Sequence, residues 1–180
     1  MTILETRRLR LRPLHLGDAP RIQRYFAQWD IVKHLSNRVP WPYPEGAAEA
    51  FVLHRLTEIE QTKDESWAIT EKTDDGLIGL IDYFHEGRGD AGHRGFWLGQ
   101  PWQGNGYMTE AVCAVHDYLF DVCHVRRLTF ENATNNPASR RIKEKTGARW
   151  TGRVSAAYVD GWTEGETWEL TAEDWRQTRS

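Results

Sequence analysis

Residues 100–111 read "QPWQGNGYMTEA" and place two glycines, Gly104 and Gly106, just before the first turn of a predicted helix. Glycine adopts backbone conformations with positive φ that other residues avoid, at a cost in chain entropy. A helix N-terminus presents unpaired N–H groups and the positive end of the helix dipole, which together favour an anion. The stretch is therefore either a tight turn or an anion-binding loop, and the surrounding sequence distinguishes the two.

The loop does not match the two commonest nucleotide-binding motifs. The dinucleotide-binding pattern G-x-G-x-x-G needs a third glycine where the chain has Thr109. A P-loop needs Gly-Lys-Ser/Thr, and no such triplet follows Gly106. No magnesium-ligand motif accompanies the loop, so ATP is not the ligand that the sequence favours.

The elements around the loop predict a mixed α/β (α+β) fold in the order β α α β β β α β α β β. Strands are predicted at 7–12, 66–70, 77–84, 93–99, 126–131, 148–157 and 164–171. Helices are predicted from Asp18, whose carboxylate can cap the helix, at 45–62, at 105–122, and at 137–146, where Pro137 is a favoured first residue. The helix at 105–122 has an apolar stripe that consists of Met108, Ala111, Val112, Val115, Leu119 and Val122. Asp75-Gly76 is a hairpin signal, and one β-α-β crossover joins the strands at 93–99 and 126–131. We therefore expect one domain over residues 1–180, with a mostly antiparallel central sheet of about seven strands and helices on both faces.

Composition limits the functional classes. The chain has 180 residues, of which 39% are hydrophobic, which suits the core of one ordinary domain. A net charge of -3 gives no support to a general nucleic-acid surface, and no segment approaches the roughly 18 consecutive apolar residues of a membrane span. Cys113, Cys123 and the scattered histidines form no disulfide or metal-ligand pattern, so we expect a cytoplasmic protein without a metal.

The loop and three further stretches resemble the GCN5-related N-acetyltransferase (GNAT) superfamily. The loop is similar to its pyrophosphate pattern, Gln/Arg-x-x-Gly-x-Gly/Ala, with Gln103, Gly106 and Met108 at the defined positions. Met108 departs from the Gly/Ala preference, and such a Met followed by Thr-Glu-Ala resembles the RimJ/RimL-like branch, which includes ribosomal-protein-alanine N-acetyltransferases. Segments of the same branch are similar to "TRRLRLRPL" (6–14), "FWLGQPWQGNGY" (96–107) and "NNPASRRIKEKTGA" (135–148).

The resemblance implies a GNAT fold with acetyl-CoA as co-substrate. Acetyl-CoA would lie in a V-shaped gap where the strand at 93–99 separates from the strand at 126–131, and backbone groups would pair with its pantetheine amides like an added strand. N–H groups of the loop would hold the pyrophosphate, and two residues at the start of the helix at 137–146 would face the pantetheine and the thioester. The residues implied are Phe96, Trp97, Leu98, Gln103, Gly104, Asn105, Gly106, Tyr107, Met108, Thr109, Asn136 and Ser139.

An acceptor amine would attack the thioester directly, and because it is an ammonium at neutral pH it needs a base. Many relatives carry a Glu on the strand that corresponds to residues 93–99, in a segment like "AELGYW", and His93 holds that position here. An imidazole exchanges protons near neutral pH, although a histidine with a purely structural role is the alternative. Asp82 and Glu164 are competing carboxylates.

The departing thiolate calls for a proton donor. Much of the superfamily uses a Tyr four residues before the glycine that ends the last helix, and Lys143 stands there instead. Ser139 is the closest remaining candidate, and its alternative role is to satisfy backbone N–H groups in the first helical turn. Tyr107 is another candidate, but in this register we expect it to pack beneath the loop.

The sequence leaves the acceptor open, as a protein N-terminal amine or a small amine such as an amino acid, polyamine or aminoglycoside. Trp29, Trp41 and Tyr43 either wall the acceptor site or anchor their loops at the rim of the core. A binding module of another class, an acyl-CoA sensor without turnover, stays open because of Met108 and the missing Tyr. The expected partners are acetyl-CoA and the amine, without nucleic acid or membrane, and with a homodimer as one option.

Overall fold

A computed structural model describes residues 2–85 and 91–179, which form eight strands and six α-helices. The strands are β1 (Leu4–Glu5), β2 (Leu9–Pro13), β3 (Glu65–Glu71), β4 (Asp74–His85), β5 (Ala91–Leu98), β6 (Arg127–Ala133), β7 (Arg149–Ser155) and β8 (Glu164–Thr171). The helices are α1 (Ala19–Tyr25), α2 (Trp29–Val32), α3 (Ala47–Gln61), α4 (Tyr107–Asp117), α5 (Pro137–Lys145) and α6 (Ala172–Thr178).

The strands form one sheet in the order β1-β2-β3-β4-β5-β6-β8-β7. All neighbouring pairs are antiparallel except β5 and β6, which are parallel and are joined by the predicted crossover through α4. The mixed, mostly antiparallel sheet is thereby confirmed. The strand beyond the expected seven is β1, whose two residues pair with β2 and are too few to show a hydrophobic alternation.

Helices cover both faces of the sheet, and each face has its own apolar cluster. β5 contributes to both, because successive side chains of a strand point to opposite faces. Trp97 packs with residues of α1 and α3, whereas Leu98 packs with residues of α4. The functional candidates on β5 therefore divide between the α1–α3 face and the α4–α5 face.

The hairpin between β3 and β4 turns at a different place from the one that its sequence indicates. The strands are joined by residues 72–73, and Asp75-Gly76 lies inside β4, where the pairing register shifts between Thr70 and Glu71. The prediction of a turn at Asp75-Gly76 is wrong because the irregular pairing absorbs these two residues.

Two helix predictions also need correction. The predicted helix at 105–122 ends as a π-helical turn over Tyr118–Val122. This wider turn rotates the following side chains, so Val122, expected in the apolar stripe, is 65% exposed. Asp18 precedes α1 as expected, but its carboxylate binds the Arg12 guanidinium at 2.7 and 2.9 Å instead of capping the helix.

A buried cation on α3 ties that helix to the sheet. The Arg55 side chain is 2% exposed, and its Nε lies 3.1 Å from Asp82 Oδ1. Its Nη1 lies 3.2 Å from carboxylate oxygens of both Asp64 and Glu58. The hydroxyl of Ser66 also donates to Asp82. Burial raises the pKa of Asp82, and the charge of Arg55 opposes that rise.

We expect Arg55→Met to lower the free energy of unfolding by about 2 kcal/mol, because it leaves Asp82 buried without its cation. The loss stays moderate since Asp82 keeps the Ser66 hydroxyl and can take up a proton. Urea titration at neutral pH measures the effect, with Arg141→Met as control, because Arg141 is exposed. Equal losses in both variants would contradict the role of Arg55.

None of the helices in residues 2–85 and 91–179 is long and apolar enough to cross a membrane.

Candidate functional site

β5 and β6 are paired at one end only. Their register runs through Ala91↔Arg127 and Gly92↔Leu128 and ends at His93↔Thr129. Beyond this point β5 continues against β4 as far as Leu98, while β6 continues against β8. The two strands therefore separate after His93, and we call the space between them the β5–β6 gap.

The glycine loop, residues 103–109, lies at the open end of the gap and leads into α4. Gly104 and Gly106 have φ of 79° and 77°, the left-handed conformation that favours glycine. A Cβ added at Gly104 would meet no atom within 4 Å. Within the described part of the chain, the N–H groups of residues 104–109 have no hydrogen-bond partner. The loop thus offers a row of free donors at a helix N-terminus, which suits an anion.

Gln103 and Tyr107 support the loop from beneath. The N–H of Gln103 donates to Gln100 O at 3.1 Å, and its side chain donates to Leu98 O at 2.8 Å. Gln103 therefore anchors the loop to β5. Its own N–H is already bonded, whereas we expected it to be a free donor for the pyrophosphate. The hydroxyl of Tyr107 donates to Glu71 at 2.7 Å, so this residue packs beneath the loop, as the sequence indicated.

Arg8 is a cation beside the loop that the sequence did not single out. Its Nη1 donates to Asn105 O at 3.0 Å, and its Nε lies 2.7 Å from Glu110 Oε2. The guanidinium also lies 4.4 Å from the ring centroid of Tyr107. The alternating cations of residues 7–12 were the available signal, but they do not reveal which one turns toward residue 105.

α5 begins at Pro137, as the sequence predicts, and the structure adds a side-chain cap. Asn136 occupies the N-cap position, and its side chain accepts a hydrogen bond from Ser139 N at 3.1 Å. The Ser139 hydroxyl is not used for capping: it accepts a hydrogen bond from Lys143 Nζ at 2.8 Å. A spacing of four residues places Ser139 and Lys143 on one face of the helix.

Two cations are buried where α5 faces β5. Lys143 is 2% exposed and Arg94 is 6% exposed. Burial, and next the positive charge of Arg94, lower the pKa of Lys143 to about 7. Burial lowers the pKa of Arg94 to about 9. In the sequence, Lys143 is notable only because it stands where many relatives carry a Tyr, and no local pattern marks Arg94 as a site residue.

His93 lies on the opposite face of the sheet from these cations. By strand alternation it shares a face with Trp97, toward α1 and α3, while Arg94 points toward α4 and α5. The His93 ring is stacked on Phe84, with 4.6 Å between centroids. The two candidate catalytic residues, His93 and Ser139, therefore approach the gap from opposite faces and do not form one cluster.

The competing carboxylates lie in different surroundings. Asp82 belongs to the buried network around Arg55. Glu164 is exposed at the first position of β8, where its backbone O accepts a hydrogen bond from Thr134 N. Asp82 is thus committed to holding α3 on the sheet, and Glu164 lies at the open end of the gap.

The three aromatic candidates for the acceptor site separate into two groups. Trp29 and Trp41 are each 42% exposed, and their rings contact each other with 5.3 Å between centroids. Tyr43 packs against Phe26 at 5.2 Å and belongs to the α1–α3 cluster. Trp29 and Trp41 form an exposed aromatic pair, whereas Tyr43 anchors its loop at the rim of the core.

In residues 2–85 and 91–179, no group of three or more His, Cys, Asp or Glu side chains is arranged to hold a metal ion.

We expect Lys143→Met to raise the free energy of unfolding by about 2 kcal/mol at about pH 6, because burying an unpaired ammonium is costly. The pKa of Lys143 is lowered from 10.5 in the unfolded chain to about 7 in the folded one. The cost is therefore complete below pH 7 and shrinks as the pH rises toward 10.5. Urea titrations at about pH 6 and about pH 9 test this. An equal gain in the free energy of unfolding at both pH values would contradict this prediction.

Comparisons with known proteins agree on one family. The model of the acetyltransferase (GNAT) domain matches residues 8–149. The chain is similar to the ribosomal protein uS5-alanine N-acetyltransferase of Escherichia coli (strain K12), at 27% identity over 98% of this chain and 94% of the relative. It is also similar to the probable N-acetyltransferase YjcK of Bacillus subtilis (strain 168), at 35% identity over 52% of this chain and 55% of the relative.

Solved structures share the fold. Mycobacterium smegmatis RimJ in complex with CoA-disulfide superposes with a TM-score of 0.83 at 19% identity, covering 96% of this chain and 88% of that one. The ribosomal-protein-S5-alanine acetyltransferase from Vibrio fischeri superposes with a TM-score of 0.81 at 19% identity, covering 97% and 99%. These likenesses confirm the predicted architecture of the sheet and helices.

Proposed function

The chain belongs to the GNAT family of acetyltransferases, and from this we propose that it transfers the acetyl group of acetyl-CoA to an acceptor amine by direct attack in a ternary complex. The observation that carries the proposal is the β5–β6 gap, which opens beside a glycine loop with free N–H donors. Acetyl-CoA supplies the reactive acyl group, and the protein supplies position and electrostatics.

The glycine loop and the gap fit the two ends of such a co-substrate. The N–H groups of residues 104–109 and the nearby charge of Arg8 suit the pyrophosphate. From Leu98 back to Arg94, β5 extends about 13 Å at roughly 3.3 Å per residue. This edge of β5 is no longer paired with β6, so it can accept an extended amide chain in the manner of an added strand.

The two proton transfers of the reaction use groups on opposite faces of the gap in this proposal. We propose His93 as the base that accepts a proton from the amine, directly or through water, on the α1–α3 face. On the α4–α5 face, we propose that the Ser139 hydroxyl serves the sulfur, and its hydrogen bond from Lys143 supports this role. A base and a donor on opposite sides of one thioester avoid neutralising each other.

For the acceptor, the first candidate is the N-terminal amine of a protein. This rests on the Escherichia coli relative, which covers nearly the whole chain and whose name specifies a ribosomal-protein alanine. The exposed Trp29–Trp41 pair offers a wall for a peptide end or a small organic amine. A small-molecule amine is the second candidate.

A CoA-release assay with a panel of amines and N-terminal peptides tests the proposed function. We expect CoA release with at least one amine, at a rate that depends on the amine concentration. Tight binding of acetyl-CoA without release of CoA for any amine would instead support a sensor module.

We further propose that the protein is cytoplasmic and that residues 1–180 form a single acetyltransferase domain. Size-exclusion chromatography with light scattering tests whether the protein is a homodimer.

A further inference from the structure

Three basic side chains are buried together on the α4–α5 face of the gap. Arg94, Lys143 and His116 are 6%, 2% and 0% exposed. In the described part of the chain, no nitrogen of the Arg94 guanidinium or of the His116 ring has a hydrogen-bond partner. Lys143 Nζ has one partner, the Ser139 hydroxyl, and an ammonium can donate three hydrogen bonds. Among the described residues, the cluster has unused donors and no ion pair with a carboxylate.

Arg94 marks the position of this cluster in the gap. Its guanidinium carbon lies 4.8 Å from the ring centroid of Phe96 on β5 and 4.6 Å from that of Phe130 on β6. It thus bridges the two strands directly beyond the His93↔Thr129 pair, at the closed end of the gap.

The neighbouring carboxylates are already engaged. Glu166 accepts hydrogen bonds from Arg140 at 2.9 and 2.6 Å and from Asn132 at 2.8 Å. Glu131 accepts one from the Tyr158 hydroxyl at 3.0 Å. Both raise the pKa of Lys143 through their charge, but neither forms an ion pair with it in residues 2–85 and 91–179.

Buried cations without a counter-charge are costly, so their presence beside the gap indicates a ligand that brings the anion. We propose that Arg94 and Lys143 bind the sulfur of CoA as a thiolate and that Lys143 then protonates it. This rests on the proposed function, because it needs the co-substrate in the β5–β6 gap with its sulfur at the closed end.

The chemistry balances with groups that the reaction supplies. The amine nitrogen forms a bond to the acetyl carbon, and the carbon–sulfur bond breaks with its electron pair passing to sulfur. The acceptor ammonium first gives one proton to the base on the α1–α3 face, which releases it to solvent, and the nitrogen gives a second proton to the same base once its bond to the acetyl carbon has formed. The Lys143 ammonium gives one proton to sulfur, directly or along the Ser139 hydroxyl, and regains one from solvent once CoA leaves.

The groups facing Lys143 set how its protonation responds to the thiolate. Arg94 on β5 lowers its pKa, whereas Glu131 on β6 and Glu166 on β8 raise it. On α4, burial keeps the pKa of His116 well below its ordinary value, so this ring stays neutral. A pKa of about 7 leaves Lys143 partly protonated near neutral pH, and a thiolate raises that fraction.

The test is a pH titration of the CoA thiol bound to the whole protein, followed by thiolate ultraviolet absorbance. Protein saturated with desulfo-CoA, which lacks the sulfur, serves as the reference and cancels the signals of Cys113 and Cys123. We expect the bound thiol to titrate at least about one pH unit below free CoA. CoA should correspondingly bind up to about tenfold more tightly than desulfo-CoA at a pH between the two titration midpoints.

Arg94→Met and Lys143→Met should each move the thiol titration back toward that of free CoA. Lys145→Met is the matched control, because Lys145 is exposed on the same helix, and it should keep the wild-type titration. Calorimetry with desulfo-CoA shows whether each variant still binds the rest of the molecule. A structural role alone would not move a thiol titration in a variant that binds desulfo-CoA normally.

Two results would overturn the proposal. If CoA and desulfo-CoA both bind and the bound thiol titrates like free CoA, the thiolate site is wrong while the proposed function stands. If neither binds to the wild-type protein, the proposed function fails together with this proposal. The wild-type measurement decides between these outcomes even where a variant does not fold.

Discussion

Gly106→Val is expected to weaken CoA binding at least about a hundredfold, or about 2.7 kcal/mol. Gly106 is the N-cap of α4 with a φ of 77°, which a β-branched residue does not adopt without strain. The loop must therefore shift, and with it the N–H groups of residues 104–109. The added side chain would also stand beside the Arg8 guanidinium, where we place the pyrophosphate. Isothermal calorimetry with CoA measures the loss.

Gly46→Val is the matched control for this experiment. Gly46 is also a helix N-cap with a φ of 77°, and a Cβ there would meet no atom within 4 Å. The backbone strain is therefore similar, but the site lies at the start of α3. We expect its CoA affinity to stay close to wild type. Unchanged CoA affinity in Gly106→Val would contradict the assignment of the loop to the pyrophosphate.

His93→Ala is expected to lower turnover about a hundredfold near neutral pH, the lower end of what general-base catalysis contributes. The loss should shrink toward about pH 9, where more of the acceptor amine is already unprotonated. The measurement is a pH profile of kcat/KM with the best acceptor from the CoA-release panel.

The pH profile separates the base from a structural histidine, because His93 is also stacked on Phe84. A loss that is equal at all pH values would point to the stacking contact alone. His54→Ala is a suitable control, since the His54 side chain is 72% exposed on α3 and is expected to leave the profile unchanged.

Local sequence rules predicted the parts of the site that depend on backbone conformation. Glycines were needed at 104 and 106 because the chain takes a positive φ at both, and Pro137 marks the start of α5. The parallel pairing of β5 with β6 followed from the helix between them, since parallel strands need a crossover.

Features that depend on long-range contacts were not predictable. Arg94 and Lys143 lie 49 positions apart in the sequence, and a hydrophobic pattern counts both as surface residues. The spacing of four between Ser139 and Lys143 was a usable signal for their contact, but it gives no information on burial. Val122 was misplaced because a π-helical turn changes the period on which a helical stripe depends.

A crystal structure of the protein with bound CoA would locate the co-substrate directly. We expect pyrophosphate oxygens within hydrogen-bond distance of N–H groups from residues 104–109, and the pantetheine arm between β5 and β6. The sulfur should lie at the closed end of the gap, next to Arg94. CoA bound with its pyrophosphate away from the glycine loop, or with its pantetheine arm outside the gap, would contradict the account.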